Sequence, residues 1–185
     1  MTIVDVPITG LVATNDSPTE LGSLTTLTAT IATGTNVTYA WDFGDGTMGS
    51  GAVDTHTYPA VGSYTATVTA TNGTNTASAT TVVAITDVPI EGLTAENDSP
   101  TLLGGTTSFT ATLTAGSNVV YTWDFGDGIT MTGQVVGHVY EATGTYTATV
   151  TATNSLGFVT VETVAVVYTT ESPVYHIFLP LTTKQ

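Results

Sequence analysis

The residues Asp42-Phe43-Gly44 spell DFG, the magnesium-holding signature of phosphoryl transfer, and they return as Asp124-Phe125-Gly126. That chemistry also needs a strand lysine to grip phosphate, an HRD-type loop with a following Asn, and a Gly-rich loop over the nucleotide. The chain has no Arg, and its single Lys is Lys184, next to last. Phosphoryl transfer is therefore excluded. A calcium loop of EF-hand type also fails: counting from Asp42, the third and fifth positions are Gly44 and Gly46, which bring no side-chain oxygen. Asp42, Asp45, Asp124 and Asp127 then stand between two roles. They are weak calcium ligands of extracellular affinity, or turn residues whose carboxylates accept backbone N–H bonds. No other cofactor is expected.

His56 and His138 recur at the same place in the two halves of a repeat, and neither has a second His or Cys in its own copy to complete a metal set. Packing or hydrogen bonding is the expected role. No G-x-S-x-G nucleophile elbow occurs, and no acid stands apart from the turns in a way that suggests tuned acidity. The chain reads as a non-enzyme. Asn15, Asn36, Asn72 and Asn97 open N-x-S/T sequons, so surface glycan is a candidate partner, although so Thr- and Asn-rich a chain makes such matches by chance.

Composition sets the partners. Fifteen acids face one base over 185 residues, a net charge of −14. Nucleic acid and anionic membrane surfaces are both excluded, since each is held by Lys and Arg. The apolar share of 41% is too high for a disordered chain, and the density of Thr, Val and Tyr suits pleated, half-buried strands. The absence of Cys leaves the redox compartment open, but a surface almost without trypsin-type cleavage sites suits a secreted or cell-surface protein. The opening MTIVDVPITG has neither a basic nor an apolar leader region, so a secreted form is expected as a mature or trimmed chain. No apolar run approaches the roughly 20 residues of a transmembrane segment.

These residues are positioned by a repeat. Asp5 matches Asp87, Trp41 matches Trp123, His56 matches His138 and Asn72 matches Asn154, each at an offset of 82 with no gap. One module runs over 5–86 within a first unit of 1–86, its copy over 87–168, and a tail over 169–185. In Ser63 to Thr71, Tyr64, Ala66, Val68 and Ala70 alternate with threonines, the period of a strand with one wet face. Thr145 to Thr153 repeats the alternation. Further strands are expected over Leu24 to Ile31 and over Val37 to Phe43, the latter burying Trp41. Gly44-Asp45-Gly46 then supplies the tight turn. About seven strands per copy without helical periodicity predict an all-β chain of two tandem β-sandwiches.

The order Y-x-W-D-F-G-D-G, then H-x-Y at His56 to Tyr58, then G-x-Y-x-A-x-V-x-A-x-N from Gly62 to Asn72 resembles a PKD domain, and the second copy carries it at Tyr121–Gly128, His138–Tyr140 and Gly144–Asn154. The resemblance covers nearly all of both modules. It implies an immunoglobulin-like sandwich of a kind common in extracellular proteins, with WDFGDG as a strand end and turn.

Both modules open on DVPI, read as a first strand along a sheet edge. The tail resembles a third such opening with no module behind it. Val174, Tyr175, Ile177, Phe178, Leu179 and Leu181 make both of its faces partly apolar, which suits a strand buried on both sides. Three fates compete: folding back on the second module, sorting or anchoring, and donation to another copy of the chain by strand addition. The joint Thr86-Asp87-Val88-Pro89 is too short for a flexible linker, so a stiff rod is expected. The leading reading is a structural subunit of a surface fibre assembled head to tail. The alternative is an adhesin, or a carbohydrate- or protein-binding accessory module of a larger secreted protein; Tyr168 and Tyr175 are its candidate contact aromatics.

Overall fold

In the computed structural model, which describes residues 4–170, the Thr-rich alternation becomes strand after strand. The first module contains Val12–Asn15 (β1), Thr19–Glu20 (β2), Thr25–Thr30 (β3), Thr38–Asp42 (β4), Met48–Ser50 (β5), Val53–His56 (β6), Gly62–Thr71 (β7) and Thr76–Thr86 (β8). The second repeats them as Thr94–Asn97 (β9), Thr101–Leu102 (β10), Thr107–Thr112 (β11), Val120–Asp124 (β12), Thr130–Thr132 (β13), Val135–His138 (β14), Gly144–Asn154 (β15) and Gly157–Tyr168 (β16). Every element among the described residues is a strand, as β-branched and aromatic side chains in period two require.

Each module packs a three-stranded sheet on a five-stranded one: β1-β3-β6 on β2-β8-β7-β4-β5, and β9-β11-β14 on β10-β16-β15-β12-β13. The longest hairpin in the first module, β7 with β8, runs in register from Gly62↔Ile85 to Thr71↔Thr76. Its alternation decides the burial: Ala66, Val68 and Ala70 are buried, and the threonines between them are half-exposed. After β1 pairs antiparallel with β3, the chain crosses to the other sheet, where β2 pairs parallel with β8. Asn15 ties the two sheets together, its Nδ2 donating to Thr81 Oγ1 at 2.7 Å and to Val82 O at 2.9 Å.

Trp41 and Trp123 fill the centres of the two cores, 1% and 0% exposed. Leu27, Phe43, Tyr58 and Val68 surround the first, and Phe109, Phe125, Tyr140 and Val150 are buried with the second. Each indole spends its N–H inside the module, on Gly51 O and on Gly133 O, both at 3.1 Å. Truncating a side chain this large and this buried to Ala costs roughly 3–5 kcal/mol.

Two differences from the sequence reading stand out. Each module holds eight strands, because β2, β5, β10 and β13 are too short to show a period. The DVPI segments at 5–8 and 87–90 are not opening strands. Their backbone groups are met by side chains in place of a ladder: Val6 N–H donates to Thr35 Oγ1 at 2.9 Å, Asn72 Nδ2 donates to Val6 O at 2.8 Å, and Ile8 N–H donates to Asn75 Oδ1 at 2.8 Å. Pro7 has no N–H to place. The tail residues Val174, Tyr175, Ile177, Phe178, Leu179 and Leu181 lie outside the described residues.

Candidate functional site

The segment that first suggested chemistry sits where β4 runs out. Asp42 ends the strand and Phe43 turns inward. The chain then reverses over Gly44–Gly46, and Phe43 N–H donates to Thr47 O at 3.1 Å to close the loop. Asp42 Oδ1 accepts the Gly44 N–H at 2.9 Å, and Asp45 Oδ1 accepts both the N–H and the hydroxyl of Thr47, at 3.0 and 2.6 Å. Gly44 has φ of +84°, and a side chain there would overlap the carbonyl of Thr65 on β7.

β6 brings the partner. His56, its last residue, sets Nε2 2.7 Å from Asp45 Oδ2. Its ring stacks on Phe43 with centroids 4.3 Å apart and meets Tyr58 edge-on at 4.7 Å. Tyr58 donates its hydroxyl to Phe43 O at 3.1 Å and packs on Tyr64. The second module repeats the nest: His138 Nε2 lies 2.6 Å from Asp127 Oδ2, the ring stacks on Phe125 at 4.1 Å, and Tyr140 donates to Phe125 O at 3.1 Å.

The carboxylates are held in their ionised form. Burial pushes the Asp45 carboxyl up, but hydrogen bonds from Thr47 and His56 outweigh it and lower it to about 2. Burial likewise opposes the shift at Asp127, where His138 and the Ile129 N–H bring the carboxyl below its ordinary value. Tyr58 and Tyr140 are pushed up to about 12, first by burial and then by the neighbouring Asp45 and Asp127.

An Asp–His pair beside a hydroxyl invites comparison with a proton relay, and the geometry denies it. In a relay the carboxylate and the nucleophile hold opposite ring nitrogens. Here Thr47 Oγ1, at 3.2 Å, and Asp45 both address Nε2 of His56, and Thr47 also binds the carboxylate. The second copy has Ile129 at the same place and no hydroxyl at all. As calcium candidates, Asp42, Asp45, Asp124 and Asp127 sit at the turns, each accepting the N–H two residues ahead. Among the described residues no group of three or more His, Cys, Asp or Glu side chains gathers as a metal site would need.

Two polar centres escaped the sequence reading. Asp87 is 2% exposed; its Oδ1 accepts Ser117 Oγ and Asn118 Nδ2, at 2.7 and 2.6 Å, and its Oδ2 accepts the N–H and hydroxyl of Ser155. Those bonds, from Ser155 foremost and then Ser117 and Asn118, lower its carboxyl to about 2. Asp5 is the counterpart, held by Asn36, Thr35 and Gly73. The only signal available was the recurrence of Asp5, Asn36 and Asn72 as Asp87, Asn118 and Asn154.

The sequon amides are the second surprise. Asn36 Nδ2 donates to Asp5 Oδ1 at 2.6 Å, Asn72 Nδ2 to Val6 O and Thr35 O, and Asn97 Nδ2 to Thr163 Oγ1 and Val164 O. With Asn15 bound as described, all four sequon nitrogens are engaged in holding their modules together.

The PKD domain matches this chain twice, over residues 10–85 and 92–167. Human Polycystin-1 is 30% identical over 155 residues, a stretch that is 80% of this chain and 4% of that protein. Among solved structures, the N-terminal four Ig domains of Dscam1 isoform 6.9 superpose with a TM-score of 0.50 at 17% identity, over 80% of this chain and 42% of that one. The PKD domain of human SorCS2 is 22% identical with a TM-score of 0.39, over 45% of this chain and 80% of that one. At 17% identity the Dscam1 likeness speaks to fold alone.

Proposed function

The chain belongs to the PKD domain family, and from that premise we propose that it is a non-enzymatic structural subunit of an extracellular fibre, assembled head to tail through its C-terminal segment. PKD and immunoglobulin-like domains are typically adhesion or binding modules of extracellular regions, and the matched family is not an enzyme family. In this reading 1–86 and 87–168 are two sandwiches in series, and 169–185 supplies the strand given to a neighbour.

One observation supports it above the others. Among the described residues no buried side-chain nitrogen or oxygen lacks a hydrogen-bond partner, so the polar clusters are spent on their own modules. Beyond the described residues the sequence carries a further apolar run from Val174 to Leu181. A long apolar segment is costly in water, and strand addition to a sheet edge removes it. Such contacts are heterologous and run on into filaments when they do not close. A chain lacking residues 172–185 is expected to stay monomeric across a concentration series that assembles the full chain, as seen by sedimentation and electron microscopy. Long fibres from the truncated chain would end this reading.

A second reading rests on Tyr168, which is 44% exposed on a sheet face and can stack on a sugar ring. In it the chain is an adhesin or a carbohydrate- or protein-binding accessory module of a larger secreted protein. It predicts monomers at every concentration and loss of ligand retention in Tyr168→Ala.

A further inference from the structure

Two copies of one module form an internal control: where they differ, the fold does not require the difference. In the first module the carboxamide of Asn75 closes on the backbone of Ile8, accepting its N–H at 2.8 Å and donating to its C=O at 3.1 Å. Ile8 is 4% exposed beneath it. The second module has Gly157 where Asn75 stands and Ile90 where Ile8 stands. Around Ile90 the backbone otherwise keeps the same course. Val6 and Val88 each donate to a hydroxyl, of Thr35 and Ser117, and each accepts an amide, of Asn72 and Asn154. On the other side Thr9 N–H and Glu91 N–H donate to Thr33 O and Ala115 O, both at 3.0 Å. Ile90 is left over between them, half-buried, and among the described residues neither its N–H nor its C=O is hydrogen-bonded.

A side chain begun at Gly157 meets open space. In its place lies a recess of about 210 Å³, bordered by Pro89, Ile90, Asn154, Leu156, Phe158 and Val159. Its rim also differs in kind. Leu156 and Phe158, 52 and 71% exposed, stand where the first module has Thr74 and Thr76. Threonine serves the fold at both places, so the apolar pair is no requirement of the hairpin. Exposed apolar side chains beside a convergent, unmet donor and acceptor mark a binding site.

We propose that this recess binds a primary carboxamide, the side chain of an Asn or Gln presented by a polypeptide partner. Asn75 defines the chemistry, since it does in the first module what the ligand does in the second. A primary carboxamide points its oxygen and one N–H the same way, and so meets the N–H and C=O of a single residue together. A secondary amide, such as a peptide group or the acetamido group of a sugar, holds them on opposite sides and cannot. A carboxylate brings acceptors only and leaves the Ile90 C=O unmet. The stem of the incoming side chain and its neighbours then cover Leu156 and Phe158. No residue of 169–185 takes part, so the site stands or falls apart from strand donation.

The test uses the full chain, isotope-labelled for amide NMR, and two peptides. One is acetyl-Val-Gln-Val methylamide; the other has Met for Gln, which keeps the backbone and the apolar stem and lacks the carboxamide. The Gln peptide is expected to shift the Ile90 amide saturably and to leave Ile8 unmoved, while the Met peptide moves neither. Thr74→Leu, Asn75→Gly and Thr76→Phe together write the second tip onto the first module and are expected to make Ile8 respond as well. Should that variant not fold, Leu156→Thr with Phe158→Thr changes exposed positions only, and the half-saturating concentration at Ile90 is expected to rise about fivefold. An Ile90 amide that ignores the Gln peptide overturns the proposal. Equal shifts with both peptides overturn it too, since the site then reads backbone or apolar surface. So does a folded first-module variant whose Ile8 stays silent.

Discussion

Thr47 and Ile129 hold one position in the two copies, and the carboxylates beside them show what a single hydroxyl does. Asp45 receives the Thr47 hydroxyl in addition to the N–H and the histidine; Asp127 receives only the last two. An ionised acceptor gains more from each donor than a neutral one, so the extra bond deepens the shift. The folded carboxyl of Asp45, at about 2, lies below its ordinary value near 3.9. Its contribution to stability is thus complete above about pH 4 and is lost as pH falls through about 2. Asp87 adds to the same window. We expect unfolding in urea to show stability falling between about pH 4 and pH 2, and Thr47→Val to move the Asp45 titration upward and shrink that fall. Carbon NMR of the carboxyl groups reads this directly; an unmoved Asp45 would refute the hydroxyl's role. The sequence offered Asp45 as a turn acid or a weak calcium ligand, but its pairing with His56 depends on where β6 delivers the ring.

At the scale of elements, the turn after β4 separates two glycines that look alike in sequence. Gly44 and Gly46 both have positive φ, +84° and +92°. Only Gly44 lies against backbone, that of Thr65 in β7, whereas Gly46 faces open space. Ala at Gly46 should therefore cost about 1–2 kcal/mol for its left-handed backbone alone. Ala at Gly44 adds displacement of β7 from β4 and should cost about twice that or more. Urea denaturation of the two variants decides it, equal losses being the adverse outcome. That a turn lies here was legible in Gly-Asp-Gly, because turn chemistry is local. Which glycine supports the β4–β7 pairing was not, since Thr65 arrives from a strand formed later in the chain. The same reason explains DVPI: its composition suits a strand, but Asn72, Thr35 and Asn75 reach its backbone first.

For the whole molecule, charge is the controlling quantity. A net charge of −14 repels copies from one another, and that repulsion is long-ranged at low salt. Raising ionic strength from about 0.01 to 0.15 M shortens the Debye length from roughly 30 to 8 Å, so the proposed head-to-tail assembly of the full chain should begin at lower concentration. Light scattering across a salt series checks this, and assembly weakened by salt would mean that attraction to Lys184 outweighs the repulsion. The two-module organisation, the all-β class and the burial of Trp41 and Trp123 were all determined by the sequence on its own, because repeat, period and composition are local properties of the string. Tertiary structure alone decided that Asp5 and Asp87 anchor the module openings, that the sequon amides are consumed, and that Asn75 meets the backbone of Ile8. Those outcomes join residues 30 to 69 positions apart, as in Thr35 with Asp5 and Thr74 with Asp5, and only strand register chooses such partners.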